Sequence, residues 1–112
     1  MRFHNANNIL NYMKDASETQ EVPLCTIKIG DFLLYAFSGE SFVQFGKMIK
    51  ASAPTDKCMV VELAYEMIGY IPTKDLFMPT VYESNLPACR FEPECGHEMT
   101  EKLIEMGREI MC

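Results

Sequence analysis

Two apolar runs separated by an amphipathic stretch constrain this chain more than any other feature. Phe32-Leu33-Leu34-Tyr35-Ala36-Phe37 is apolar on both faces of a strand, which predicts a central place in a sheet. Phe42, Phe45, Gly46 and Ile49 come next at i, i+3, i+4 and i+7, one face of an α-helix. Lys47 and Lys50 suit the C-terminal end of that helix, and Pro54 stops it. Cys58-Met59-Val60-Val61-Glu62-Leu63-Ala64 is the second apolar run. Strand, helix, strand in this order predicts a βαβ unit with its strands in parallel.

The flanking stretches complete the expected fold. Val22 to Ile29 reads as a strand with Thr26 and Lys28 as its polar positions, and Gly30-Asp31 as the turn of an antiparallel hairpin. Upstream, Phe3, Ile9, Leu10, Tyr12 and Met13 form a helical stripe interrupted by four asparagines, followed by a polar linker from Asp15 to Glu21. Residues 65–93 carry Pro72, Pro79, Pro87 and Pro93 and read as irregular, with a short helix over Thr73 to Phe77 capped by Thr73. From Glu94 to Met111, Met99, Leu103, Met106 and Ile110 predict a final helix. The fold class is therefore α/β, with mixed α+β as its variant: a small sheet with an N-terminal β-hairpin, a βαβ unit and a long C-terminal helix. Residues 1–112 are expected to form a single domain, with 1–20 as N-terminal helix and linker.

At 112 residues the chain suffices for one core, and its 48% hydrophobic and 23% charged content is that of a globular protein. A net charge of -6 argues against nucleic acid or an anionic membrane surface as partner. No apolar run approaches the roughly 20 residues that span a bilayer, and no signal peptide is expected. Cys25, Cys58, Cys89, Cys95 and Cys112 form an odd set, which fits reduced thiols and a cytoplasmic location. The nine methionines lie mostly on the apolar stripes and read as core filler.

Three groups of residues bear on chemistry. Glu40, in the turn Ser38-Gly39-Glu40, is placed near a helix N-terminus, where free N–H groups favour an ionised carboxylate. The same spacing equally suits an ordinary first-turn acid with Ser38 as N-cap. Tyr70, between Gly69 and Ile71-Pro72, is either a phenol aimed by a rigid backbone or a half-buried tyrosine bonded to a carbonyl. Both residues are expected just past the ends of strands, where ligands gather in α/β folds. Cys89, Cys95 and His97 suggest zinc, but their spacing matches no tight knuckle and only three ligand candidates are local. A Cys–His nucleophile pair there lacks an orienting third group. His4 is expected in solvent.

The order of these motifs resembles the C-terminal part of the neutral/alkaline ceramidase-like family. It runs through Val22-Pro23-Leu24, Ile27-Lys28-Ile29-Gly30-Asp31, Ser38-Gly39-Glu40-Ser41-Phe42, Val60-Val61-Glu62-Leu63-Ala64, Ile68-Gly69-Tyr70-Ile71-Pro72-Thr73, Tyr82-Glu83-Ser84 and Pro93-Glu94-Cys95-Gly96-His97-Glu98. The resemblance implies half of a larger hydrolase domain over residues 21–112, from a family of zinc-dependent amidases that cleave the N-acyl bond of ceramide. It also implies a metal held by two histidines, a glutamate and a tyrosine, with Glu40 and Tyr70 in the last two roles. Departures accompany the match: Ser38 stands for the usual proline, Tyr65-Glu66-Met67 replaces Asn-Gly-Tyr, and His4 and His97 match neither histidine position.

With these departures, the resemblance implies an incomplete metal site, Glu40 and Tyr70, that by itself binds no zinc and catalyses nothing. The chain is then expected to be a fragment or degenerate short relative of such an amidase, completed by a missing N-terminal half or by a partner copy. The alternative is a stand-alone interaction or oligomerisation module. A half-domain exposes apolar surface, so a homo-oligomer, a dimer through the N-terminal helix or the sheet edge, is expected.

Overall fold

The computed structural model describes residues 10, 11, 13, 14 and 19–112. Strands β1 (Cys25–Ile29) and β2 (Phe32–Ala36) form the expected hairpin, with Cys25 opposite Ala36 and Ile29 opposite Phe32. Gly30 turns it with a φ of 62°, open to glycine at little cost. The next two residues of secondary structure form β3 (Glu40–Ser41), and helix α1 comes after it over Val43–Ser52. Strand β4 (Cys58–Val61) returns parallel to β2, so β2-α1-β4 is the predicted βαβ unit and the sheet order is β1-β2-β4. The all-apolar β2 is central.

A second, two-stranded sheet pairs β3 in parallel with β5 (Tyr70–Ile71). Short 3₁₀ turns at Lys74–Leu76 and Tyr82–Ser84 punctuate the proline-rich segment, and helix α2 runs from Cys95 to Met111. The architecture is mixed α+β, with both helices on one face of the three-stranded sheet.

The core forms where that face meets the helices. Leu33, Tyr35 and Phe37 from the β2 segment, Phe45 and Ile49 from α1, Met99 and Leu103 from α2, and Ile68 and Ile71 make one buried cluster. The face of α2 differs from the sequence expectation. Gly96, Met99, Thr100, Leu103 and Gly107 are buried, whereas Ile110 is exposed. The glycines explain the rotation. A Cβ on Gly107 would lie 2.2 Å from the Tyr35 hydroxyl oxygen, and one on Gly96 would lie 2.5 Å from Phe45 Cζ. The helix thus packs its bare backbone on two large rings, and the more apolar Ile110 is left in solvent.

Three local expectations are corrected. Residues Val22 to Leu24 are not strand, although Val22 and Leu24 pack against the core. Glu40 is not in a helix first turn: α1 begins three residues later, after Phe42. Ser38 is not its N-cap, because the buried Ser38 hydroxyl donates 3.0 Å to the carbonyl of Pro23. The N-terminal helix is described only at residues 10, 11, 13 and 14, which are helical. The rest of that stripe, and His4, lie outside the described residues.

Candidate functional site

The small sheet brings the two sequence-selected residues together. Glu40 and Tyr70 are register partners across β3 and β5, side by side on neighbouring strands. Their backbone is held by main-chain bonds alone: Glu40 N–H to Gly69 O (2.9 Å), Phe42 N–H to Ile71 O (3.1 Å) and Tyr70 N–H to Ala88 O (2.8 Å). Gly39 and Gly69, with φ of 75° and 96°, form the two corners that lead into these strands. A Cβ on Gly69 would stand 2.5 Å from the Ala88 carbonyl oxygen, so only glycine fits.

The electrostatics derive from this pairing. The charge of the Glu40 carboxylate, together with hydrogen bonding to it, pushes the Tyr70 phenol above its ordinary value. Glu83 and Tyr82, delivered by the 3₁₀ turn, push in the same direction. The Tyr82 ring meets Tyr70 edge-on, with centroids 6.3 Å apart. Tyr70 is therefore a phenol that keeps its proton and donates it to a carboxylate. Nothing in the sequence spacing points to Tyr82 and Glu83 as its neighbours.

A zinc ion does not fit this donor set. Glu40 and Tyr70 offer two side chains where a catalytic zinc takes three protein ligands and a structural zinc four. The adjacent carboxylates also oppose the phenolate that would bind a metal. Among the described residues there is no group of three or more His, Cys, Asp or Glu side chains placed to hold a metal ion.

Cys89, Cys95 and His97 serve the packing of α2. The His97 Nε2 accepts the Lys74 backbone N–H at 3.2 Å, and its ring stands edge-on to Phe45 with centroids 5.0 Å apart. Lys74 also pairs with Glu94, and this contact holds the Glu94 carboxyl below its usual value. Burial raises both thiols, with Cys95 pushed up to about 11. Ligation and nucleophilic attack both need thiolate, and these environments favour the thiol.

A second candidate surface is the face of the three-stranded sheet away from the core. In register, Ile29 with Phe32, Ile27 with Leu34 and Met59, and Cys25 with Ala36 and Val61 share the face of the sheet turned away from both helices. Every one of these side chains is apolar. None of Ile27, Ile29, Phe32, Leu34, Met59 and Val61 belongs to the core cluster; Ile29 and Met59 are 65% and 50% exposed, while Ala36 at the other end of the face is buried. At one end the Tyr65 phenol lies against the Cys25 thiol, whose hydrogen bond raises the phenol.

The alternation of β1 is inverted with respect to a solvent-exposed sheet. Thr26 and Lys28 share the helix-covered face with Tyr35 and Leu33, and the Thr26 hydroxyl is buried there without a hydrogen-bond partner. The isoleucines point outward. Alternation alone marks Thr26 and Lys28 as the polar positions without saying which face they take. The usable signal is the neighbouring β2, whose Phe32 and Leu34 extend the isoleucine face.

Among the described residues no helix is long and apolar enough to cross a membrane. Comparisons with protein-family models, curated proteins and solved structures return no match.

Proposed function

We propose that the chain is a non-catalytic self-association module, whose working surface is the apolar face of β1-β2-β4 and whose partner is a second copy of the same chain. The observation that carries this reading is the inverted patterning of β1, which sets Ile27 and Ile29 on the open face and puts Thr26 beneath the helices. A sheet face wholly apolar in three strands marks an interface rather than a solvated surface. Size-exclusion chromatography with light scattering tests it. The native chain is expected at twice its monomer mass of 12.8 kDa, and the exposed-face pair Ile29→Glu/Met59→Lys at the monomer mass with an unchanged circular dichroism spectrum. A native monomer would overturn the reading.

The register pairing of Glu40 with Tyr70 favours a second reading, a fragment or degenerate relative of a ceramidase-like zinc amidase. The two oxygen donors stand side by side, while among the described residues no group of three or more His, Cys, Asp or Glu side chains is placed to hold a metal ion. Micromolar zinc binding lost in Glu40→Ala, with hydrolysis of an N-acyl amide, would put this reading first.

A further inference from the structure

Strand β4 ends the three-stranded sheet on one side and leaves an open edge there. The Leu33 N–H bonds the carbonyl of Lys57 at 2.9 Å, and the Phe37 N–H bonds that of Val61 at 2.8 Å. Main-chain groups alternate in direction along a strand, so Cys58 and Val60 turn theirs away from β2. Among the described residues no backbone group pairs with this outer row. Natural edges are blunted by charge or proline within the strand. Cys58-Met59-Val60-Val61 has neither, whereas β1, the other edge strand, carries Lys28.

Helix α1 overhangs the open edge. A Cβ on Gly46 would lie 4.0 Å from Val60 Cβ, so helix and strand are in contact there. Beside that contact lies a cavity of about 450 Å³, with Phe42, Gly46 and Val60 as its apolar wall and Lys47, Lys50 and Glu62 as its charged lining. All three charged residues are exposed. Lys47 and Lys50 share one side of the helix, one turn apart. Neither belongs to the ion pairs found among the described residues. Two unmatched cations beside an apolar hollow stand out in a chain of net charge -6.

We propose that this edge takes an extended, acidic segment of a partner protein as an added strand. Main-chain bonds to Cys58 and Val60 supply the pairing, an apolar side chain enters the cavity, and carboxylates meet the lysines. Helix α1 runs against β4, so Lys50 lies toward the Cys58 end and Glu62 stands at the other. An acid is therefore attracted at the Cys58 end and repelled beside Glu62. A second copy of this chain is the poorer occupant. Two-fold antiparallel pairing of β4 with itself puts both α1 helices on one face and sets their lysines along the same seam. The edge is a surface separate from the apolar sheet face, and the proposal does not depend on the self-association reading.

The test is fluorescence anisotropy of labelled hexapeptides on the full chain. Val-Thr-Val-Thr-Asp-Asp and Asp-Asp-Thr-Val-Thr-Val present the acid at either end, and each has a counterpart with lysine in place of aspartate. One acidic peptide is expected to bind at least about ten-fold tighter than its lysine counterpart. Lys47→Glu/Lys50→Glu, a change at two exposed positions, is expected to reverse that order. Val60→Pro removes an outward N–H and is expected to abolish binding with an unchanged circular dichroism spectrum. No binding of either acidic peptide, equal affinity for the acidic and lysine peptides, or an unreversed order in the lysine variant overturns the proposal. So does a folded Val60→Pro chain that binds as the native one does. Binding that weakens as the concentration of the chain itself rises gives the edge to a second copy and overturns the partner segment.

Discussion

Replacing Gly107 by alanine sets two effects of opposite sign against each other. Glycine inside a helix costs about 1 kcal/mol relative to alanine, so helix propensity alone predicts a stabilised protein. The packing predicts the reverse. The new Cβ would stand 2.2 Å from the Tyr35 hydroxyl oxygen, 2.6 Å from Cε1 and 2.7 Å from Cζ. Tyr35 is fully buried on the central strand, so the ring has no free space to enter. Overpacking a filled core costs about 1–3 kcal/mol, and two rigid ring atoms and the hydroxyl oxygen in the path of the new methyl place this case at the upper end. The net expectation is a loss of about 2 kcal/mol, or a fall in Tm of roughly 10 °C for a domain of this size. With no tryptophan in the chain, urea unfolding is best followed by far-ultraviolet circular dichroism. Adding Tyr35→Phe should restore part of the loss, since it removes the nearest atom and a buried hydroxyl that has no hydrogen-bond partner. A Gly107→Ala protein as stable as the native one would refute the close packing of α2 on the sheet.

Other contacts carry their own expected outcomes. Glu40→Gln removes the charge beside Tyr70 and should lower the titration midpoint of that phenol toward its ordinary value, read as the alkaline absorbance difference against Tyr70→Phe; an unchanged midpoint would break the pairing. Cys95 holds its proton to about 11 in the folded chain while the unfolded thiol ionises near its ordinary value of 9.0. Its raised value therefore contributes stability that is complete below pH 9 and lost as pH rises to about 11, and Cys95→Ser should flatten the alkaline limb of a stability–pH curve. Ser38→Ala leaves the Pro23 carbonyl without its buried donor and should cost about 1–2 kcal/mol in urea unfolding. Asp31→Ala breaks an ion pair with Lys57 that is open to water on both sides, and should change stability by less than about 1 kcal/mol in the same assay.

Much of the fold is legible in the sequence because single-residue chemistry and periodicity agree. The apolar β2, the Gly30-Asp31 turn and the α1 stripe each carry their own local cause, so the hairpin and the βαβ unit can be read from the chain alone. The small sheet is not legible. Two-residue strands have no period to read, and β3 and β5 exist because the corners at Gly39 and Gly69 meet across 30 residues of chain. The buried face of α2 is obscured for a related reason: hydrophobic counting favours Ile110, but close approach to Tyr35 requires the side chain that is absent at Gly107. At the candidate site, position alone singles out Glu40 and Tyr70, and the structure makes them neighbours. The sheet face stays hidden because a strand pattern states which side chains go together and not which side the helices take.

The backbone of the small sheet bears on how a sequence of this kind drifts. Glu40 and Tyr70 are the conspicuous residues, yet main-chain bonds to Gly69, Ile71 and Ala88 tie the same strands whatever the two side chains are. A lineage could exchange the acid and the phenol and keep those main-chain bonds. The two corner glycines have no such latitude, since one carries a φ of 75° and the other a φ of 96° against a carbonyl. Divergent copies of this chain would therefore be recognised by the residues without side chains, long after the conspicuous pair had been replaced.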